Sequence, residues 1–227
     1  MTEEARRRAY LKALEIDVYT LRGQVDAEEA APDRPQVEAP LPDWAALRDS
    51  VAACTRCTLH QSRTQTVFGV GSQSADWMIV GEAPGQEEDR RGEPFVGRAG
   101  KLLDEMLRAV GLDRGSVFIA NILKCRPPNN RDPAPDEAAS CRQYLERQIE
   151  LVAPKIILAA GRIAAQHLLN TDAPVGRMRG QKHYLGDGQL PVVVTYHPAY
   201  LLRSPTQKSK AWQDLLLARQ LLEGTDP

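Results

Sequence analysis

Four short apolar runs, Trp77–Val80, Val117–Ile122, Lys155–Ala160 and Val192–Tyr196, are separated from one another by longer stretches, several with helical periodicity. Strands that are apolar throughout must be covered on both faces, and helices between successive strands supply that cover when the strands run parallel. Gly97–Val110 and Pro135–Val152 carry the helical pattern, Arg162–Leu169 gives a shorter helix, and Gln207–Leu222 closes the chain. The expectation is an α/β fold with a parallel sheet between helices. In such sheets a ligand sits beyond the carboxyl ends of the strands, so the residues after each run are where chemistry is to be sought.

Ahead of this body, residues 4–22 read as an amphipathic helix with Tyr10, Leu11, Leu14, Val18 and Leu21 on one face, and the stretch from Ala27 to Pro42 is rich in Pro, Ala and Glu. The expected organisation is a helical extension over 1–26, a linker over 27–42 and one domain over 43–227. With 42% hydrophobic residues and a net charge of −1 the chain is neither disordered nor fibrous. No run approaches the ~20 apolar residues of a membrane helix, and Met1–Arg8 does not open a secretory signal. The expected location is the cytoplasm, where cysteines stay reduced. The near-zero charge hides a split of −3 over residues 1–40 and +2 over the rest, and between Ala173 and Lys210 six bases face one acid. Such a stretch is either a solvated face or a phosphate-contacting one.

The cysteines are arranged as Cys54-x2-Cys57 and Cys125-x15-Cys141. A Cys-x2-Cys pair brings two thiolates to one metal site, and two more complete a four-sulfur set. Spacing alone does not separate an iron–sulfur cluster from zinc. Three strand ends carry polar motifs. After Val80 comes Gly81-Glu82-Ala83-Pro84-Gly85 with Glu88 and then Phe95-Val96-Gly97. It lacks the Gly-Lys-Ser/Thr of a phosphate-binding loop. After Ala120 stands Asn121, whose amide both donates and accepts and so suits the edge of a nucleobase. After the last run stands His197, followed by Leu201, Leu202 and Arg203. This histidine is a candidate acid, base or electrophile, with a structural histidine as the alternative, and the leucines are candidates for a wedge between stacked bases. His60, His167 and His183 read as structural.

Taken together, Gly81-Glu82-Ala83-Pro84-Gly85, Pro94-Phe95-Val96-Gly97, Asn121-Ile122-x-Lys124-Cys125-Arg126-Pro127-Pro128 and His197-Pro198-Ala199-Tyr200-Leu201-Leu202-Arg203 resemble the type-4 uracil-DNA glycosylases, from about Leu41 to Leu222. The resemblance implies a three-layer α/β/α fold with a central, mainly parallel four-stranded sheet. It implies excision of uracil from DNA, single- or double-stranded, by base flipping and hydrolysis of the N-glycosidic bond, leaving an abasic site. On that basis His197, Glu82 and Asn130 are the catalytic candidates, and Ala83, Glu88, Phe95 and Asn121 the substrate-binding ones. Leu201, Leu202 and Arg203 are expected to contact DNA, and Cys54, Cys57, Cys125 and Cys141 to hold a structural [4Fe–4S] cluster. Ala83 stands where other branches of the superfamily carry a water-activating Asp, so it cannot act as a base. The expected protein is a monomer associated with the nucleoid, with no membrane partner and a replication or repair partner for residues 1–40. Two rivals are a binder that traps uracil-DNA covalently and a non-catalytic iron–sulfur partner of a replication polymerase. The first requires a basic, His-containing insertion after the strand that bears Asn121, and Asn121–Asp136 is short and has no His.

Overall fold

A computed structural model describes residues 43–186 and 188–224. The expected helix over 4–22 and the linker over 27–42 lie outside those residues. Helix α1, Trp44–Ala52, starts where Asp43 caps it through the Ala46 amide at 2.9 Å. The strands that follow are β1 Val70–Gly71, β2 Trp77–Gly81, β3 Phe118–Asn121, β4 Ile156–Ala160, β5 Lys182–Tyr184 and β6 Pro191–Thr195. Between and after them run α2 Gln86–Arg91, α3 Arg98–Ala109, α4 Pro135–Val152, α5 Arg162–Leu169, α6 Val175–Met178, α7 Pro198–Arg203 and α8 Lys208–Glu223.

The six strands form one sheet in the order β1-β3-β2-β4-β6-β5. The inner four are the four anticipated from the sequence, and their pairings are all parallel. The expected count of four is corrected to six by β1 and β5, which pair antiparallel at the two edges. Each has only two or three residues, and β5 is Lys-His-Tyr with little burial, so neither carries a readable apolar period.

The three layers follow from alternation along the strands. Met78, Val80, Phe118, Ala120, Ile157, Ala159, Val192 and Val194 face α1, α4 and α5, while Trp77, Ile79, Ile119, Leu158, Ala160 and Val193 face α3 and α8. Both faces are buried, which is why the runs read as continuously apolar. From β2 the chain moves outward to β3 on one side, then returns to β4 on the other. Order reverses beside β2, and a crevice opens beyond its carboxyl end. No helix among the described residues is long and apolar enough to cross a membrane.

Candidate functional site

That crevice is a cavity of about 770 Å³, and the ends of β2, β3, β4 and β6 all open into it. Glu82, Ala83, Glu88, Phe95, Asn121, Asn130, His197 and Arg203 line it together. Residues up to 121 positions apart in sequence are thus gathered by the strand topology alone.

Its floor is a packed trio. Asn121 ends β3 at 2% exposure, and its side-chain Oδ1 is buried without a hydrogen-bond partner. An unpaired buried acceptor costs roughly 1–3 kcal/mol unless something arrives to donate to it. Phe95 lies beside it, and Gly81 makes room for both. A Cβ on Gly81 would stand 2.4 Å from Asn121 Oδ1 and 2.6 Å from the Phe95 ring. Phe95 itself has φ 54, a left-handed conformation that L side chains rarely adopt. It is held there by Arg114, which donates to the carbonyls of Phe95 at 3.1 Å and Pro94 at 2.6 Å and pairs with Asp104 at 3.1 Å. Gly100 completes the support, since a Cβ there would meet the Phe95 carbonyl at 1.7 Å. Strain so thoroughly braced marks a ring held in place for contact.

His197 caps helix α7. Its Nδ1 accepts from the Ala199 amide at 3.1 Å, so the neutral ring carries its proton on Nε2. Burial, together with the Arg203 charge and against the pull of Glu88, brings its pKa down to about 4. The ring is therefore a neutral donor at physiological pH. It stacks on Phe95 with centroids 5.5 Å apart and planes inclined by 27°. A planar group sandwiched between the two rings would need about 7 Å, twice an ordinary ring contact, so the space between Phe95 and His197 is too narrow to admit one. Gly161, at the end of β4, permits this placement, because a Cβ there would meet His197 Cβ at 2.9 Å.

The acids divide by partner. Glu88 accepts from the amides of Val96 at 3.0 Å and Gly97 at 3.1 Å through Oε1, so it secures the turn that carries Phe95. Glu82 makes no such hydrogen bond to a described residue, and burial followed by the neighbouring Asp132 raises its pKa against the lowering effect of Arg162. Asn130 sits at the exposed rim with φ 53 and accepts from Arg126 Nε at 2.7 Å. Ala83 offers only its methyl group.

Of the two leucines expected to contact DNA, one is buried and the other exposed. Leu201 is 1% exposed and packed inward, whereas Leu202 is 38% exposed. Successive residues on a helix diverge by about 100°, so α7 cannot present both to a solvent-side partner. Of the basic stretch, Arg179 is committed to Asp214 at 2.8 Å and is not free for phosphate, while Arg203 opens onto the cavity. Among the structural histidines, His60 bonds the Cys57 carbonyl at 2.7 Å and His183 that of Met178 at 2.6 Å. Arg162, Tyr196 and Tyr200 also line the cavity and were not anticipated. Arg162 follows the end of β4 directly after a glycine, a position equivalent to the three motifs that were read.

The four cysteines line a second, much smaller cavity of about 10 Å³ that shares no lining residue with the first. Cys125 Sγ accepts from Arg63 Nη1 at 3.0 Å and Cys141 Sγ from the Lys124 amide at 3.3 Å, the donor environment that thiolates need. No three His, Cys, Asp or Glu side chains among the described residues stand close enough together to hold a single metal ion. Lys124 links the two cavities: wholly buried, it donates from Nζ to the Asn121 carbonyl at 2.8 Å and to Gln148 Oε1 at 2.6 Å.

The family model described as "Uracil DNA glycosylase superfamily" matches residues 68–216. A type-4 uracil-DNA glycosylase of Archaeoglobus fulgidus is 44% identical over 170 residues, covering 72% of this chain and 85% of the relative. One from Sulfurisphaera tokodaii is 41% identical over 182 residues, with 77% and 83% covered. A third, from Thermotoga maritima, is 45% identical over 160 residues, with 70% and 82% covered.

Proposed function

The chain belongs to the uracil DNA glycosylase superfamily, among the type-4 members, and on that premise we propose that it excises uracil from DNA by hydrolysing the N-glycosidic bond. The observation that carries the reading is the buried, unpaired Oδ1 of Asn121 at the floor of the cavity. Uracil presents N3–H beside O4, so Oδ1 accepts from the first and the amide nitrogen donates to the second. Cytosine presents an acceptor and an amine at the same positions and leaves both pairs mismatched. A base within a duplex cannot reach this floor, so the nucleotide is flipped out at a cost of roughly a few kcal/mol.

Uracil leaves as an anion. The neutral His197, its Nδ1 committed to the Ala199 amide, directs Nε2–H to the leaving-group O2, where charge develops. The sugar becomes cationic as the bond lengthens, and the half-buried Glu82 supplies negative charge and orients water, with Asn130 at the rim as its assistant. Glu88 acts through Phe95, whose turn it fastens. Leu202 and Arg203 face the DNA. Residues 43–224 carry this chemistry in full.

Cys54, Cys57, Cys125 and Cys141 would hold a [4Fe–4S] cluster, supported by the shared cavity and its N–H···S donors. When bound it supplies a cross-link between the α1 end and the loop after β3, outside the reaction itself.

The deciding assay incubates purified protein with an oligonucleotide containing one uracil, without Mg²⁺. Abasic sites at the uracil position, and none at thymine or cytosine, are expected. A stable covalent adduct, or binding without base release, would refute the enzyme reading.

A further inference from the structure

Tyr196 and Tyr200 flank His197 on either side, line the same cavity, and have no part in the chemistry above. Their rings pack against each other with centroids 5.0 Å apart and planes inclined by 36°. The contact bridges the start of α7, where Tyr196 precedes the His197 cap and Tyr200 lies in the first turn. Behind Tyr196, the Arg179 guanidinium lies 5.7 Å from its ring centroid. That guanidinium is immobilised in turn: it donates to both oxygens of Asp214, at 3.1 and 2.8 Å, and to the Lys210 carbonyl at 2.6 Å. Asp214 is 0% exposed. The result is a column from the core outwards, Asp214 to Arg179 to Tyr196 to Tyr200, and it ends in an aromatic ring 36% exposed at the cavity mouth.

A capping contact needs no aromatic ring at its outer end and no charged pedestal beneath it. Of the three largely exposed aromatic residues among those described, Tyr184, Tyr200 and Trp212, Tyr200 alone lines this cavity. Arg203, three residues after Tyr200 and on the same helical face, opens onto the same cavity and makes no ion pair with a described residue. An exposed ring backed by a rigid partner, with a free guanidinium one turn away, is the arrangement that takes a nucleobase and its phosphate.

We propose that Tyr200, supported by Tyr196, is a second base subsite: it stacks one unpaired base adjacent to the nucleotide held in the cavity, and Arg203 takes the phosphate between them. This rests on the reading that the cavity holds an extruded uracil nucleotide. A base on Tyr200 must have left its own stack, which a single strand or a mismatched neighbour permits at little cost and a matched duplex does not. The subsite therefore biases the protein toward single-stranded or locally melted substrate. Because every base has a π-face, it does so with little sequence preference.

The test compares wild type, Tyr200→Ala and Tyr200→Phe by fluorescence anisotropy on oligonucleotides carrying one 2′-fluoro-2′-deoxyuridine, a slowly hydrolysed analogue, as single strand and as matched duplex. Thymine-only strands serve as the reference. Tyr200→Ala should weaken single-strand binding by about 5- to 150-fold, the range for one lost base stack. Duplex affinity should change by less, and Tyr200→Phe should stay near wild type. A 2-aminopurine placed beside the uracil analogue should be quenched by wild type and Tyr200→Phe and not by Tyr200→Ala. Equal weakening on both substrates, or quenching that survives in Tyr200→Ala, overturns the subsite while wild-type preference for the uracil strands upholds the function. Wild type that binds uracil and thymine strands alike refutes the function, and the subsite with it.

Discussion

Gly81→Ala isolates the geometry of the floor from everything else. Gly81 does not have a positive φ, so alanine meets no backbone strain there. The new Cβ would stand 2.4 Å from Asn121 Oδ1 and 2.6 Å from the Phe95 ring, where ordinary contacts begin near 3.4 Å. Amide and ring must each withdraw by about 0.8–1 Å. Neither can give way easily: Asn121 is fixed in β3 by pairing with β2, and Phe95 by Arg114 and Gly100. Overpacking of this kind costs about 1–3 kcal/mol of stability, while a displacement near 1 Å in a reacting arrangement costs about 100-fold in rate. Single-turnover excision from a uracil oligonucleotide should therefore fall about 100-fold in a protein that still melts cooperatively. Gly176→Ala is the contrast, since its Cβ would meet nothing within 4 Å and its φ is not positive. Its loss should stay within about tenfold. Wild-type rates in a folded Gly81→Ala protein would refute the claim that Asn121 and Phe95 read the base from these positions.

Four further outcomes are expected. His197→Ala should lower the single-turnover rate by about 10²–10³ while leaving affinity for uracil-containing DNA nearly unchanged, because the donor acts where charge develops. The same residue governs acid stability. With its folded pKa near 4 against an ordinary 6.5, the unfolded chain binds the extra proton first, so stability drops as pH falls from about 6.5 towards 4. Wild type should lose about 2 kcal/mol more than His197→Gln between pH 7.5 and 5 in denaturant titrations; parallel curves would refute the depressed pKa. Iron analysis of anaerobically prepared protein should give about four atoms per chain and a brown colour, both lost in Cys125→Ala; stoichiometric zinc in iron-replete preparations would exclude the cluster. Leu201→Ala should lower stability by about 2–4 kcal/mol in denaturant unfolding, whereas Leu202→Ala should stay within about 0.5 kcal/mol and weaken DNA binding instead.

The parallel core was legible because burial on both faces leaves a mark in the residues themselves. Val192, Val193 and Val194 are apolar in succession, and they divide alternately between the two layers. Helix limits were legible where chemistry enforces them, as at Pro135, which opens α4 at a position that needs no amide. The edge strands were not, since Val70–Gly71 and Lys182–Tyr184 owe their conformation to a neighbour's free edge more than to any pattern of their own.

The site shows a sharper division. Asn121 and His197 could be named because a polar residue at the end of an apolar strand is anomalous in one dimension. What they do depends on features with no one-dimensional trace. The acceptor on Asn121 is unpaired only because no described group reaches it, and the proton on His197 is assigned by an amide two residues ahead. Phe95 looks like an ordinary core residue until its positive φ and the three-way hold of Arg114 are known. Arg114 lies 19 residues away in an unremarkable loop, and its importance is visible only as two carbonyls and a carboxylate converging on one guanidinium. Strand-end chemistry is thus written in the sequence, while its orientation is supplied by residues that read as scaffolding. Substitutions at Gly81, Gly100 and Arg114 should accordingly damage excision as severely as those at many residues lining the cavity.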